Sequence, residues 1–134
     1  MGLAFSILPA SDTPLHRQIG QHIRLALIQQ RLRPGEQLPA VRALAEDLVV
    51  NPNTVARAYQ ELIRDGLLES RAGIGVFVSE KRQVFSQPER ARRLAEALRP
   101  LLLEAIILDF SLPETQAALG QHWRDLQTPT RRKP

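Results

Sequence analysis

Residues 38–78 constrain the fold of this 134-residue chain more than any other stretch. A short helix is predicted to begin at Val41. A second begins at Asn51-Pro52, where asparagine is a favoured N-cap and proline a favoured first helical residue. Gly66 is a typical stop for that helix, and Gly73-x-Gly75 suits the turn of a β-hairpin. Two helices followed by a hairpin predict a winged helix-turn-helix.

Another helix is predicted before this motif. Thr13 is a suitable N-cap with Pro14 at the first helical position, and the helix is expected to end near Arg31. Apolar side chains recur within it at helical spacing, at Leu15, Ile19, Ile23, Ala26 and Leu27. Residues 5–8 are compatible with a short strand. The fold class is therefore mainly α with a small β-hairpin.

Each helix of the motif has an apolar and a polar face. The shorter helix would bury Val41, Leu44, Ala45 and Leu48. The longer helix has Val55, Tyr59 and Leu62 on its apolar face, and Asn53, Arg57, Gln60 and Arg64 on its polar face. Residues 67–71 and 74–78 are the expected strands, joined through Ala72-Gly73. One helix face packs inward, and the other is left for a partner.

The chain after the hairpin is predicted to form a helical region. Residues 81–87 look like a linker, and Ser86 and Glu89 have the spacing of a capping box. Pro100 either kinks the following helix or divides it, and Ser111 and Glu114 repeat the capping-box spacing before a last short helix. The predicted organisation is a winged helix-turn-helix domain over 1–80, the linker over 81–87, helices over 88–127, and a disordered basic tail over 128–134.

The start of the longer motif helix is the candidate reading surface for DNA. Short hydrogen-bonding side chains suit a helix end that meets base edges in a major groove. We expect Asn53, Thr54 and Arg57 to face DNA. Asn51-Pro52 would open the helix so that free N–H groups meet a phosphate. The alternative is an ordinary amphipathic helix whose polar side meets only water.

Two further sites complete the candidate interface. Arg42 lies at a helix start, where a cation is unfavourable to the helix dipole, so a phosphate or a guanine edge would explain it. Arg71 and Gly73 fall at the tip of the wing, where glycine permits close backbone approach and arginine can hold a phosphate or enter the minor groove. The alternative at each place is a solvated surface arginine.

The C-terminal helix is too apolar all round to be buried by a small appendage. We expect it to form a self-association surface, and two-fold symmetry would match a palindromic operator. The predicted dimerisation residues are Leu98, Leu101, Leu102, Ala105, Ile106 and Leu108. The alternative is that this helix packs back onto its own DNA-binding domain.

Composition excludes several other classes of protein. The chain is too short for a separate catalytic domain, and the absence of cysteine leaves no disulfide or thiolate chemistry. The absence of cysteine fits a reducing compartment, so a cytoplasmic location is expected. No apolar run approaches the ~20 residues of a membrane span. His16, His22 and His122 have no metal-ligand spacing, and no catalytic or cofactor motif appears. The net charge of +4 is too small to argue for DNA by itself.

Residues 14–78 resemble the GntR family of bacterial transcription regulators, and specifically its short YtrA-like subgroup. The motifs that carry the resemblance are Pro34-Gly35, Leu38-Pro39, Val41-Arg42-x-Leu44-Ala45, Asn51-Pro52-Asn53-Thr54-Val55, Ala58-Tyr59, Glu61-Leu62, Asp65-Gly66 and Gly73-x-Gly75-x-Phe77-Val78. Three positions depart from the family pattern. Ala40 replaces a common serine, Ala56 replaces an arginine of some subgroups, and Gln30 replaces a frequent glycine near the end of the first helix.

The resemblance implies a homodimer that binds a palindromic operator on double-stranded DNA and usually represses, often at transporter operons. It also implies DNA contacts at Arg42, residues 51–54 and Gly73. We therefore expect a bacterial transcription regulator without enzymatic activity or cofactor. An unknown small-molecule effector is compatible with the junction of the two regions. The alternative function is a winged-helix protein-interaction module that never reads DNA.

Overall fold

The computed structural model describes residues 5, 7–80 and 85–128. Its elements run in the order α1 (Leu15–Ile28), α2 (Val41–Leu48), α3 (Pro52–Arg64), β1 (Leu68–Arg71), β2 (Gly75–Val78), α4 (Gln87–Ile107) and α5 (Leu112–Gln127). The expected mainly α fold with one small hairpin is confirmed. The chain divides into two compact units, Met1–Val84 and Phe85–Pro134. No helix within the described ranges has the length and apolar character needed to cross a membrane.

The segment before α1 differs from the prediction. Phe5, Ile7 and Leu8 are not in a strand, and Ser6 lies outside the described residues. Thr13 does not cap α1, which begins at Leu15 with Pro14 in the N-cap position and no side-chain cap. The buried side chain of Gln18 bonds to backbone atoms on this segment. Its Nε2 donates to the carbonyls of Leu8 and Thr13, and its Oε1 accepts from the N–H of Leu8.

Helix α1 ends at Ile28, three residues before the predicted end. Gln30 then adopts a left-handed φ of 58°. Its N–H donates to Leu27, and the next N–H, of Arg31, donates to Ala26 at 2.8 Å. This is a Schellman motif, which satisfies helix-end carbonyls that would otherwise lack partners. Gln30 therefore adopts a left-handed φ at the position where the family commonly has glycine.

The core of the first unit lies between α1, α2, α3 and the hairpin. The apolar faces predicted from periodicity are the buried ones, with Leu15, Leu27, Val41 and Leu48 only partly buried. The core cluster consists of Ile19, Ile23, Ala26, Leu32, Leu38, Leu44, Ala45, Val55, Ala58, Tyr59, Leu62, Leu68 and Val78. The Tyr59 hydroxyl donates to the carbonyl of Pro39 at 2.8 Å, and burial raises the pKa of Tyr59 above its ordinary value. A neutral phenol therefore ties α3 to the segment that enters α2.

The helix-turn-helix and the wing follow the predicted boundaries closely. The turn after α2 places Val49 in the left-handed region with a φ of 55°, and Gly66 does the same after α3 with a φ of 77°. The strands begin at Leu68 and Gly75, each one residue later than predicted, and pair antiparallel with Leu68 opposite Val78. Residues 36–38 add to the open edge of β2. Leu38 N–H donates to the carbonyl of Val76, and Val78 N–H donates to that of Glu36.

The second unit consists of two capped helices. Helix α4 begins at Gln87, the last residue of the predicted linker, and the Ser86 side chain accepts from the Glu89 N–H. It continues unbroken through Pro100, so division at the proline is wrong. Helix α5 has the complete predicted capping box between Ser111 and Glu114. Residues 81–84 of the linker and 129–134 of the tail lie outside the described residues.

Candidate nucleic-acid interface

The start of α3 is organised by its cap. The Asn51 side chain accepts from the Asn53 N–H at 2.8 Å, and the Asn51 carbonyl accepts from the Thr54 N–H at 2.9 Å. Pro52 has no N–H, so the first N–H groups of α3 already have acceptors inside the protein. The predicted capping by Asn51 is confirmed, but the prediction of free N–H groups awaiting a phosphate is wrong. Any DNA contact here must come mainly from side chains.

The side chains needed for such contact are accessible. Asn53, Arg57, Gln60 and Arg64 are exposed along one face of α3, as predicted, and Thr54 is half-buried. The Arg57 side chain is 68% exposed, and its Nε lies 3.9 Å from Glu61 Oε1. His16 Nε2 lies 3.3 Å from the same oxygen. An exposed pair at that distance holds an arginine only weakly, so Arg57 can reorient toward a polyanion.

Arg42 lies at the second position of α2 and is exposed. Among residues 5, 7–80 and 85–128, no carboxylate forms an ion pair with it. The N-cap is Ala40, which makes no side-chain cap bond, so the sequence departure from serine does leave this helix uncapped. One surface cleft is lined by Arg42, Glu46, Val49, Asn51 and Pro52. The structure thus brings the α2 arginine beside the start of α3, an arrangement not evident from spacing alone.

The wing differs from the prediction in the placement of its arginine. Arg71 is the last residue of β1, and its guanidinium lies 4.0 Å from the centre of the Phe77 ring and 3.0 Å from Glu69. The turn itself consists of Ala72, Gly73 with a φ of 73°, and the 65%-exposed Ile74. The turn residues are therefore apolar, and the Arg71 guanidinium lies against the strands of the hairpin. Contact between Arg71 and a phosphate would compete with Glu69.

Sequence reasoning missed two residues that organise this surface. Glu61 shares one oxygen with His16 and Arg57, and Gln37 donates from its side chain to the carbonyl of Ile74 at 3.1 Å. One feature of the sequence could have pointed to Gln37. Gly75 comes two residues after the turn glycine Gly73, and a second glycine there suggests that another group occupies the space of its missing side chain.

The predicted dimerisation residues lie on more than one face of the second unit. An apolar groove of about 480 Å³ runs between α4 and α5. Three of the predicted residues line it, Leu101, Ala105 and Leu108, together with Phe110, Leu119 and Trp123. The others, Leu98, Leu102 and Ile106, are not in its lining. Neither α4 nor α5 has a buried residue, so the apolar surface of both helices is uncovered in one chain.

The three histidines have different surroundings. His16 pairs with Glu61, His22 makes an edge contact with the Phe5 ring, and His122 lines the groove of the second unit. Within the described part of the chain, no three His, Asp or Glu side chains come close enough to hold a metal ion.

Comparison with known proteins agrees with this geometry. Residues 15–78 match the family described as bacterial regulatory proteins, gntR family. The HTH-type transcriptional repressor YtrA of Bacillus subtilis (strain 168) is 36% identical over 97 residues, which are 72% of this chain and 75% of that protein. A transcriptional antiterminator from Listeria monocytogenes EGD-e has 26% identity and a TM-score of 0.87, with 100% of both chains covered. The chain belongs to the GntR family. Its similarity to YtrA agrees with the YtrA-like subgroup that its motifs predicted.

The chain is also similar to a solved structure of AraR(DBD) in complex with operator ORX1. Its TM-score is 0.51 at 28% identity, over 56% of this chain and 96% of that one. This chain is therefore a GntR-type transcription regulator with a winged helix-turn-helix DNA-binding domain, and not an enzyme. The comparisons do not favour the alternative of a protein-interaction module.

Proposed function

We propose that this protein is a homodimeric repressor that binds a palindromic operator in the bacterial cytoplasm. The observation that carries the proposal is the exposed polar face of α3, which presents Asn53 and Arg57. Arg42 of α2 lines a cleft with Asn51 and Pro52 at the start of that helix. In this proposal α3 of each protomer enters a major groove, and residues 51–54 and Arg57 meet bases and backbone. The wing, with Arg71 and Gly73, contacts the neighbouring backbone or the minor groove.

The second unit supplies the dimer in this proposal. Its two helices leave large aliphatic and aromatic side chains uncovered, and contiguous patches of this kind are rare on monomers. A second copy of the same unit is the occupant that also fits a two-fold operator, because symmetric association presents two α3 helices to two half-sites. Control of a transporter operon and binding of a small-molecule effector stay predictions.

The DNA half of the proposal is tested by sequencing the genomic fragments that the purified protein retains, then measuring affinity for a recovered site. Arg57→Ala is expected to weaken specific binding by about 1–3 kcal/mol if Arg57 contacts a base, with relaxed selectivity at one position. If Arg57 contacts only a phosphate, the variant lowers the log-log salt slope by about one. Arg90→Ala, which removes the same charge from α4, is the matched control. An unchanged affinity and salt slope for Arg57→Ala would contradict the assignment.

The dimer half is tested on α4. Leu102→Glu combined with Ile106→Glu places two carboxylates on one face, and we expect monomers in light scattering and weak operator binding. The control is Leu103→Glu combined with Ile107→Glu, which has the same chemistry and spacing but is rotated by about 100° around the helix. A Leu102 and Ile106 variant that stays dimeric would refute this interface.

A further inference from the structure

The wing is attached to the body of its unit by more than its own two strands. Each strand has four residues, and a two-stranded hairpin is marginally stable by itself in water. Residues 36–38 run along the free edge of β2 and contribute backbone hydrogen bonds. In this position Gln37 lies opposite Phe77.

The side chain of Gln37 extends this attachment to the tip. Its Nε2 donates to the carbonyl of Ile74 at 3.1 Å. Inside the turn, the Ile74 N–H donates to the Arg71 carbonyl at 3.0 Å. The Gln37 amide therefore links the tip to a segment 37 residues earlier in the chain.

Gly75 makes room for this link. A Cβ at Gly75 would lie 2.7 Å from Gln37 Nε2, closer than nonbonded atoms approach, and the φ of 144° also disfavours a side chain. Gly73 has a different role, since nothing lies within 4 Å of the position that its Cβ would take. The two glycines of the motif thus serve separate purposes. Gly73 allows the turn, and Gly75 allows the Gln37 amide to reach the tip.

We propose that Gln37 is a positioning residue that holds the wing in its DNA-binding position through the Ile74 carbonyl. This inference rests on the proposed function, because it assumes that the wing meets the operator. A tip ordered before binding loses less conformational freedom on binding, and affinity rises accordingly. Gln37 acts through the hairpin and has no direct contact with DNA in this scheme.

The test uses Gln37→Met, which keeps the length and neutrality of the side chain and removes the donor. The matched control is Gln21→Met on the exposed face of α1. We expect Gln37→Met to raise the operator Kd roughly three- to tenfold, the range spanned by the net effect of one hydrogen bond, and to lower the thermal midpoint by no more than the loss of one such bond. Hydroxyl-radical footprinting should show weaker protection where the wing lies and unchanged protection at the α3 contacts.

A double-mutant cycle separates positioning from direct contact or general destabilisation. The effect of Gln37→Met should add to that of Arg57→Ala, because α3 binds independently, and should shrink in the Arg71→Ala background. Equal affinity of Gln37→Met and the wild type, a uniformly weakened footprint, or full additivity with Arg71→Ala would each overturn the inference while the proposed function stands. A wild-type protein that retains no genomic fragment refutes the proposed function, and this inference with it.

Discussion

The two compact units of this protein use apolar side chains in opposite ways. In the first unit, isoleucine and leucine recur on one face of each helix and are buried, as with Ile23 at 0% exposure. In the second unit, they surround the helices and stay exposed, as with Ile106 at 70%. The first unit therefore has a core of its own. The second has well-capped helices whose apolar side chains stay exposed.

The largest expected effect contrasts these two isoleucines. Ile23→Ala removes a fully buried side chain and should lower the free energy of unfolding by about 2–5 kcal/mol at every protein concentration. Ile106→Ala should mainly lower the part of the stability that depends on concentration, since the proposed dimer would bury its side chain. Urea titrations at several protein concentrations measure both. An Ile106→Ala variant with unchanged stability at all concentrations would contradict the expected role of Ile106.

The second prediction compares the two helix caps. Asn51→Ala removes the cap of α3 and should cost roughly 0.5–2 kcal/mol of stability, together with operator affinity, because the same residue shapes the proposed reading end. Ser111→Ala removes the cap of α5 and should cost a similar amount without changing operator affinity once the protein is dimeric. Thermal unfolding and operator titration of both variants decide the matter. Equal loss of affinity in the two would argue against a special role for the start of α3.

The third prediction concerns left-handed residues. Val49 has a φ of 55° and is 89% exposed, and a β-branched side chain in this region is strained. Val49→Gly should raise the free energy of unfolding by about 1 kcal/mol. Asp109→Gly in the second unit, where the φ is 64°, should gain less because aspartate tolerates this region better. Chemical denaturation compares the two, and a destabilised Val49→Gly would show that the valine side chain makes a favourable contact.

The smallest expected effect is a pH dependence at the start of α4. Hydrogen bonds from Arg92, and then from Arg93, lower the pKa of Glu89 to about 2 from an ordinary 4.5. Because the folded-state pKa is depressed, the stabilisation is complete above pH 4.5 and is lost as the pH falls from there toward 2. The Glu89 side chain is 32% exposed and its partners Arg92 and Arg93 are 55% and 42% exposed, so solvent screening keeps the effect small. Circular dichroism should show slight acid fraying of helix that Glu89→Gln abolishes. Identical acid curves for both proteins would contradict this prediction.

Most helix and strand boundaries were predictable because they follow from local chemistry. Asn51 with Pro52 and Ser111 with Glu114 begin helices at the predicted places, and Gly66 closes α3. The failures occurred where side-chain interactions differ from those that local sequence rules assume. Gln18 bonds to the Thr13 carbonyl beside a helix start that has no side-chain cap, and the Arg71 guanidinium lies against Glu69 and Phe77.

The candidate site shows the same division. Periodicity correctly predicted which face of α3 is exposed, since 3.6 residues per turn settle that question without knowledge of any neighbour. Periodicity does not show whether the N–H groups at the start of α3 are free. It also does not separate Leu101, which lines the groove beside α5, from Leu102, which does not. Both depend on how hydrogen bonds and helices are arranged in three dimensions.

The amino-acid sequence by itself determined the order of the elements, the inward and outward faces of α1 to α3, the three-helix and hairpin motif and the family. These depend on interactions within a few residues, such as caps, turns and helical spacing. Only the tertiary structure decided that Tyr59 bonds to Pro39, that Gln37 reaches the wing tip, and that Leu101 but not Leu102 lines the groove beside α5. Such contacts join residues far apart in the chain, and their partners are fixed only when the whole unit packs.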